Sequence, residues 1–437
     1  MISASPIGSA RSEQLSCALT PLDITNYSAN LMGCTMVLPT FNRCPCDIYG
    51  ADRLKNPLVW ALETLLAQNG RVLREIIVID DGSVDFTHQI AEAYLPLASV
   101  RNVKFKYVRQ STNLGLVQAR NTGIAHATEP VVVFGDDDCI YPKEYIWGAL
   151  YCLEALKKVT ENCFVITLPF YYRSTWPKHI CPTEMIGRID FENGDFHTNF
   201  HCVPVEYFDG TQALPADTDI MMPFPTQLIN GTCAAYTGRL KALGGFPDVS
   251  RWPNAYSEHL ALSALIIRAG GQMFHCPDPR LGACHLKYGT VGRYDSDPES
   301  SKGIVEGLGL TLADLISVSM HERTQSGCRI EHSDFYFSMI GSLFAFFLEH
   351  NLGGAHKYAV RLYNDFVVKG IGYSLAISTM PTHKTRREIW RNALQAGAIA
   401  THEASSDQPA DAIIQTIQDV ARLLDEEPFD LTSLTAE

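Results

Sequence analysis

The chain has 437 residues, 46% hydrophobic and 19% charged, enough for a main globular domain with a sizeable core plus an appendage. A net charge of −13 argues against general affinity for nucleic acid or an anionic membrane; no stretch is apolar enough to span a bilayer, and no secretion signal is expected at the N-terminus. The 13 cysteines are scattered, with Cys44-Pro45-Cys46 the only close pair and no zinc-finger spacing, which fits reduced thiols in a cytoplasmic protein.

Residues 1–30 show little periodicity and read as an N-terminal arm. Thr35-Met36-Val37-Leu38 is a strand ending at Pro39-Thr40-Phe41-Asn42-Arg43. A helix is expected over 57–68, with Leu58, Ala61, Leu62 and Leu65 on one face. Glu75-Ile76-Ile77-Val78-Ile79 forms a second strand, closed by Asp80-Asp81-Gly82-Ser83. A further helix carries Ala91 and Tyr94, and residues 103–108 alternate as a third strand. Asn113-Leu114-Gly115 opens a helix through Ala119, Arg120 and Ile124. Val131-Val132-Val133-Phe134 is short, β-branched and bounded by Pro130 and Gly135, so it reads as a buried fourth strand. Strand and helix alternate with short connections, the pattern of an α/β doubly wound, mostly parallel sheet.

From about residue 305 the strands stop and amphipathic helices take over. Residues 335–348 read as a buried helix, and Ile413, Ile414, Ile417, Val420 and Leu424 keep helical spacing. Residues 326–437 are therefore expected to form a helical C-terminal region, the candidate surface for a homo-oligomer, with a loose acidic stretch from Glu426 to Glu437.

The chemistry gathers at the strand ends. Asp136-Asp137-Asp138 follows the fourth strand directly, and carboxylates stacked there need a compensating charge, for which a divalent cation with oxygen ligands is the usual choice. Taken alone, the same triplet also fits an acidic turn facing solvent. In open α/β sheets the crevice beyond the strand ends is where ligands bind. There, Asp81 can accept the imide N–H of a uracil, Phe41 can flank the base, and Asn42 and Arg43 can reach ribose or phosphate. The Asp136 and Asp138 pair can hold a cation that bridges a diphosphate. No G-x-G-x-x-G follows the first strand and no G-x-x-x-x-G-K occurs, which disfavours a dinucleotide dehydrogenase and a P-loop ATPase.

In order from Val37 to about His285, these residues resemble family 2 glycosyltransferases with the GT-A fold. The resemblance rests on Val37-Leu38-Pro39-Thr40-Phe41-Asn42-Arg43, on Ile77-Val78-Ile79-Asp80-Asp81-Gly82-Ser83, and on Asn113-Leu114-Gly115 through Ala119-Arg120-Asn121. Asp136-Asp137-Asp138 resembles the family's metal-binding Asp-x-Asp, and Gly244-Gly245-Phe246 its segment leading into the acceptor site. The resemblance implies a nucleotide-sugar donor, usually a UDP-sugar, a Mn²⁺ or Mg²⁺ ion, and inversion at the anomeric carbon. It implies donor contacts from Pro39, Thr40, Phe41, Arg43, Asp81, Arg120, Asp136 and Asp137, with Arg120 near the base or the phosphate. Asp136 and Asp138 are the implied metal ligands, with His285 completing the set. It also divides the chain into a GT-A domain over 31–325, with a nucleotide-sugar half at 31–150 and an acceptor half at 151–325.

One departure is informative. The family places Glu-Asp at the start of a helix, with the Asp as general base; here Ser257-Glu258-His259 stands at that place, with the spacing to Gly270 kept. Either His259 or Glu258 is then the base, or the two merely cap a helix behind Ser257. The Gln-x-x-Arg-Trp motif of membrane-bound polymer synthases is absent, so transfer of a single sugar to a soluble or glycan acceptor fits better. Aromatic residues between 165 and 230, among them Tyr172, Trp176 and Tyr207, suit either an acceptor cleft or a core. The competing readings are a retaining GT-A transferase and a non-catalytic nucleotide-sugar-binding protein.

Overall fold

The computed structural model describes residues 31–44, 56–172, 187–198, 223–229, 231–247, 258–276, 278, 281–285, 332–371, 381–403, 408–431 and 434. Its centre is an eight-stranded sheet built from β1 (Cys34–Thr40), β2 (Leu73–Asp80), β3 (Lys104–Arg109), β4 (Val131–Phe134), β6 (Cys163–Thr167), β10 (Phe224–Thr226), β11 (Cys233–Tyr236) and β12 (Gln272–His275). The order is β10-β12-β6-β11-β4-β1-β2-β3. β1 pairs in parallel with β2 and β4, β2 with β3, and β12 with β6. β11 runs antiparallel to both β4 and β6, and β10 antiparallel to β12, so β10 and β11 are the two reversed strands.

β1, β4 and β6 are buried along their whole length, and β2 at every position but Arg74. Such strands need helices on both faces, which is why they read as continuous apolar runs. β3 is different: it is the edge, half-exposed, and its Lys104 and Lys106 guard the open side. The covering helices are α1 (Pro57–Leu66), α2 (Thr87–Val100), α3 (Leu116–His126) and α4 (Tyr145–Val159). α1 starts where the expectation put it and stops two residues earlier. Pro57 occupies its first turn, and the Asn56 side chain accepts from the Leu58 N–H at 3.0 Å.

The register sets three strand ends side by side. Val37 lies opposite Ile77 on one side and Phe134 on the other, and Thr40 lies opposite Asp80. The β4 pairing stops at Val37, so Pro39, which has no N–H to give, falls beyond it. A small second sheet, β5 (Cys139–Ile140), β13 (Ala283–His285) and β7 (Phe170–Tyr172), sits just past β4. α5 (Thr237–Ala242) and α6 (Glu258–Arg268) follow β11, and β8 (Gly187–Asp190) and β9 (Asp195–Thr198) form a separate hairpin.

The C-terminal helices are α7 (His332–His350), α8 (Leu352–Leu362), α9 (His383–Glu403) and α10 (Ala410–Leu423), with a π-helical turn at Tyr363–Val368. They bury Phe344, Phe347, Trp390, Ile413 and Ile417 against one another in a core of their own. Leu228 and Ala264 join that core from the sheet side. Among the described residues no helix is long and apolar enough to cross a membrane.

One expectation is corrected here. The described residues of the acidic stretch, 426–431 and 434, are not loose: Phe429, Leu431 and Leu434 are buried. Glu426 is clamped by Arg387 at 2.6 and 2.8 Å, by Arg391 at 3.4 Å and by the Tyr363 hydroxyl at 2.7 Å. Net acidity hid three spaced apolar residues and a carboxylate with two guanidinium partners.

Candidate active site

The loops after β1 and β2 are stitched to each other before any ligand is considered. The Asn42 N–H donates to Ser83 Oγ at 2.8 Å, and Asn42 Oδ1 accepts from the Val84 N–H at 2.9 Å. Asp80 accepts from the Ser83 N–H at 2.7 Å and from the Tyr107 hydroxyl. Asp81 is buried and receives the N–H groups of Leu114 and Gly115, at 2.7 and 2.8 Å, one on each oxygen. Gly82 has φ +78°, and a Cβ there would stand 2.5 Å from the Thr112 carbonyl carbon, so the turn lies directly on the loop entering α3. Phe41 stays 39% exposed at the end of β1. The structure therefore brings Pro39, Thr40, Phe41 and Asp81 to one edge.

The three aspartates then divide. Asp137 takes two hydrogen bonds from Arg43, both 2.8 Å, and one from the Thr40 hydroxyl at 2.6 Å. Arg43 also reaches Asp138 at 3.2 Å. The middle carboxylate is thus turned back into the protein, where it holds two residues expected at the donor. Ligand-capable atoms of Asp136, Asp138 and Cys139 lie within 4.8 Å of one another. Cys139 is not among the ligands expected from the sequence, although it directly follows the triplet. His285 lies opposite Cys139 in the antiparallel β5–β13 register, so its backbone runs beside the cluster.

Arg120 ties this cluster to the start of α6. It is buried, with Nη1 2.8 Å from Glu258 Oε1 and Nη2 3.4 Å from Asp136 Oδ1. Its guanidinium lies over the Phe246 ring, 5.4 Å from the centroid. Phe246 is held by Asn121 through two hydrogen bonds, at 2.7 and 2.9 Å. Gly245, at φ +85°, leaves room for that grip, since a Cβ would meet Asn121 Oδ1 at 2.4 Å. Sequence motifs far apart are here one network: Arg120 sits among the aspartates, Glu258 and Phe246.

The electrostatics follow from these contacts. Burial opposes the charge on Glu258, but His259 beside it and Arg120 outweigh that and hold its carboxyl at about 2. Burial works against the Arg120 charge too, and Glu258 and Asp136 overcome it, raising its pKa. His259 Nδ1 is 3.7 Å from Glu258 Oε1. The carboxylate oxygens of Asp136 and Asp138 are the hard donors that Mn²⁺ or Mg²⁺ takes.

Comparison with known proteins agrees with this layout. Residues 35–204 match the family described as glycosyl transferase family 2. A polypeptide N-acetylgalactosaminyltransferase 11 from Xenopus tropicalis is 26% identical over 238 residues, 53% of this chain and 36% of that one. A glycosyltransferase of Escherichia coli K12, YibD, is 39% identical over 85 residues, 19% of this chain and 23% of that one. The chain thus spans about a third or less of the length of these two relatives. The crystal structure of S. aureus TarS 1–349 aligns with a TM-score of 0.45 at 16% identity, over 90% of this chain and 88% of that one. The matched segment, residues 35–204, carries β1 to β4 and the strand-end carboxylates, so that part of the chain is similar to glycosyl transferase family 2.

Proposed function

We propose that this chain moves a single sugar from a UDP-sugar to a hydroxyl of a soluble or glycan acceptor, with inversion and with a divalent cation. The observation that carries the reading is the cluster at the end of β4. Ligand-capable atoms of Asp136 and Asp138 converge there, and Arg120 links them to the Glu258–His259 helix start. The polypeptide N-acetylgalactosaminyltransferase among the relatives supports sugar transfer.

Mn²⁺ or Mg²⁺ would be held by Asp136 and Asp138, with His285 as a third ligand, and would neutralise charge on the diphosphate. The chain's own groups do the rest. Phe41 flanks the base. Asp81, oriented by the Leu114 and Gly115 N–H groups, keeps acceptor capacity on both oxygens for the uracil imide. Arg43 neutralises Asp137 and supports Asp138 from behind. The base that takes the acceptor proton comes from the start of α6. Cytoplasmic location is part of the same reading, supported by the reduced, buried thiols of Cys34, Cys152, Cys163 and Cys233.

The test is thermal protection with Mn²⁺ present. UDP is expected to raise the melting temperature several degrees more than GDP or CMP, an effect abolished by EDTA. Equal shifts for the three nucleotides remove uracil recognition, and protection unaltered by EDTA removes the metal.

A further inference from the structure

We propose that His259 is the general base of the transfer and that Glu258 is a positioning residue, pinned by Arg120 and turning Nδ1 of the imidazole toward itself. The assignment rests on the transferase reading above. Glu258 Oε1 accepts from Arg120 Nη1 at 2.8 Å, and the same oxygen is the one nearest His259 Nδ1, at 3.7 Å. Arg120 cannot follow Glu258 toward an acceptor. It is buried, packed over Phe246, and engaged with Asp136 on its other nitrogen. A carboxylate committed to such a guanidinium gives up its partner to take a proton.

The imidazole has what the carboxylate lacks, a second pole. With Nδ1–H facing Glu258, Nε2 on the far side of the ring is the acceptor, the arrangement in which a carboxylate sets tautomer and orientation. The 3.7 Å separation is longer than a hydrogen bond, as such contacts often are before substrate is bound. In the step, the acceptor O–H proton moves to Nε2 and the oxygen forms its bond to the anomeric carbon. The bond from that carbon to the diphosphate oxygen breaks, its electron pair leaves with the diphosphate, and the imidazolium then loses its proton to solvent.

Water can stand in for the acceptor. UDP release is measured from UDP-glucose, UDP-galactose, UDP-N-acetylglucosamine and UDP-N-acetylgalactosamine with Mn²⁺, and the best of the four is the probe. His259→Ala is expected to slow release about a hundredfold or more. Its UDP dissociation constant should stay near wild type, which also shows that the variant folds. Added imidazole should restore part of the rate to His259→Gly. Glu258→Gln should lose only about tenfold, in kcat and not in donor KM, because the amide still meets Arg120 and the ring. A Glu258→Gln variant as slow as His259→Ala, or a Glu258→Ala variant restored by formate, overturns this assignment alone. Wild-type protein that releases no UDP from any of the four sugars overturns the transferase reading and the assignment with it.

Discussion

Glu426 in the helical region and the aspartates beyond β4 are both carboxylates held by arginines, and they are arranged differently. Glu426 is one carboxylate with two guanidinium groups and a tyrosine hydroxyl, so its oxygens are saturated and its charge is more than answered. Its job is to fasten the end of the chain to α9 and the π-helical turn. The strand-end cluster instead sets ligand-capable atoms of Asp136 and Asp138 within 4.8 Å of one another, at a place where a cation could sit. Glu75, at the opposite end of β2, belongs with Glu426: it is fully buried and met by Lys106 at 2.7 Å, Thr35 at 2.7 Å and the Thr128 N–H at 3.0 Å. A buried acid that builds structure brings its partners with it.

The largest expected effect falls on the strand-end aspartates. Asp138→Asn should lower UDP release from the donor by about a hundred- to a thousandfold while the melting temperature stays near wild type. A mild loss would place Asp138 with the structural acids. Next comes the saturated side. Glu426→Ala strands two arginines and frees the chain end, at a cost of about 2 to 3 kcal/mol in denaturant unfolding, with UDP binding unchanged.

Asp137→Asn separates the two kinds of acid inside one triplet. Because Asp137 serves Arg43 and Thr40, it should cost about 1 to 2 kcal/mol of stability yet change Mn²⁺ affinity, read by electron paramagnetic resonance, only a few-fold. A collapse of Mn²⁺ binding without loss of stability would move Asp137 to the ligand set.

The smallest effect is a slope. Burial opposes ionisation of Glu75, but hydrogen bonds from Lys106, Thr35 and Thr128 and the Lys106 charge bring its pKa down from 4.5 to about 2. A depressed carboxylate contributes stability in full above its unfolded value and loses it as pH falls through the folded one. Thermal stability should therefore decline between pH 4.5 and 2, and Glu75→Gln should flatten that decline. An unchanged slope would remove Glu75 from the saturated class.

The same contrast explains what was legible beforehand. β1, β2 and β4 were readable because parallel strands buried on both faces are unbroken apolar runs, and α10 because its buried Ile413, Ile417 and Val420 keep helical spacing. The antiparallel insertion of β11 between β4 and β6 was not readable. Cys233–Tyr236 is four residues long, and nothing local in it encodes a partner or a direction. The strand-end residues were nameable one by one, but their pairings were not. Arg43 meets Asp137 across 94 residues and Arg120 meets Glu258 across 138, and no spacing rule spans such distances. That is why Arg120, expected at the base or the phosphate, has its described contacts with Asp136, Glu258 and Phe246.

The Asn121 grip on Phe246 bears on how this chain can change over time. With Gly245 barred from any side chain by Asn121 Oδ1, Phe246 bonded twice to Asn121, and Arg120 resting on the Phe246 ring, a change at one position undoes the setting of the next. Drift there should come in concerted steps, several residues together, while the exposed Val84 and Leu114 in the loops after β2 and before α3 stay open to single substitutions.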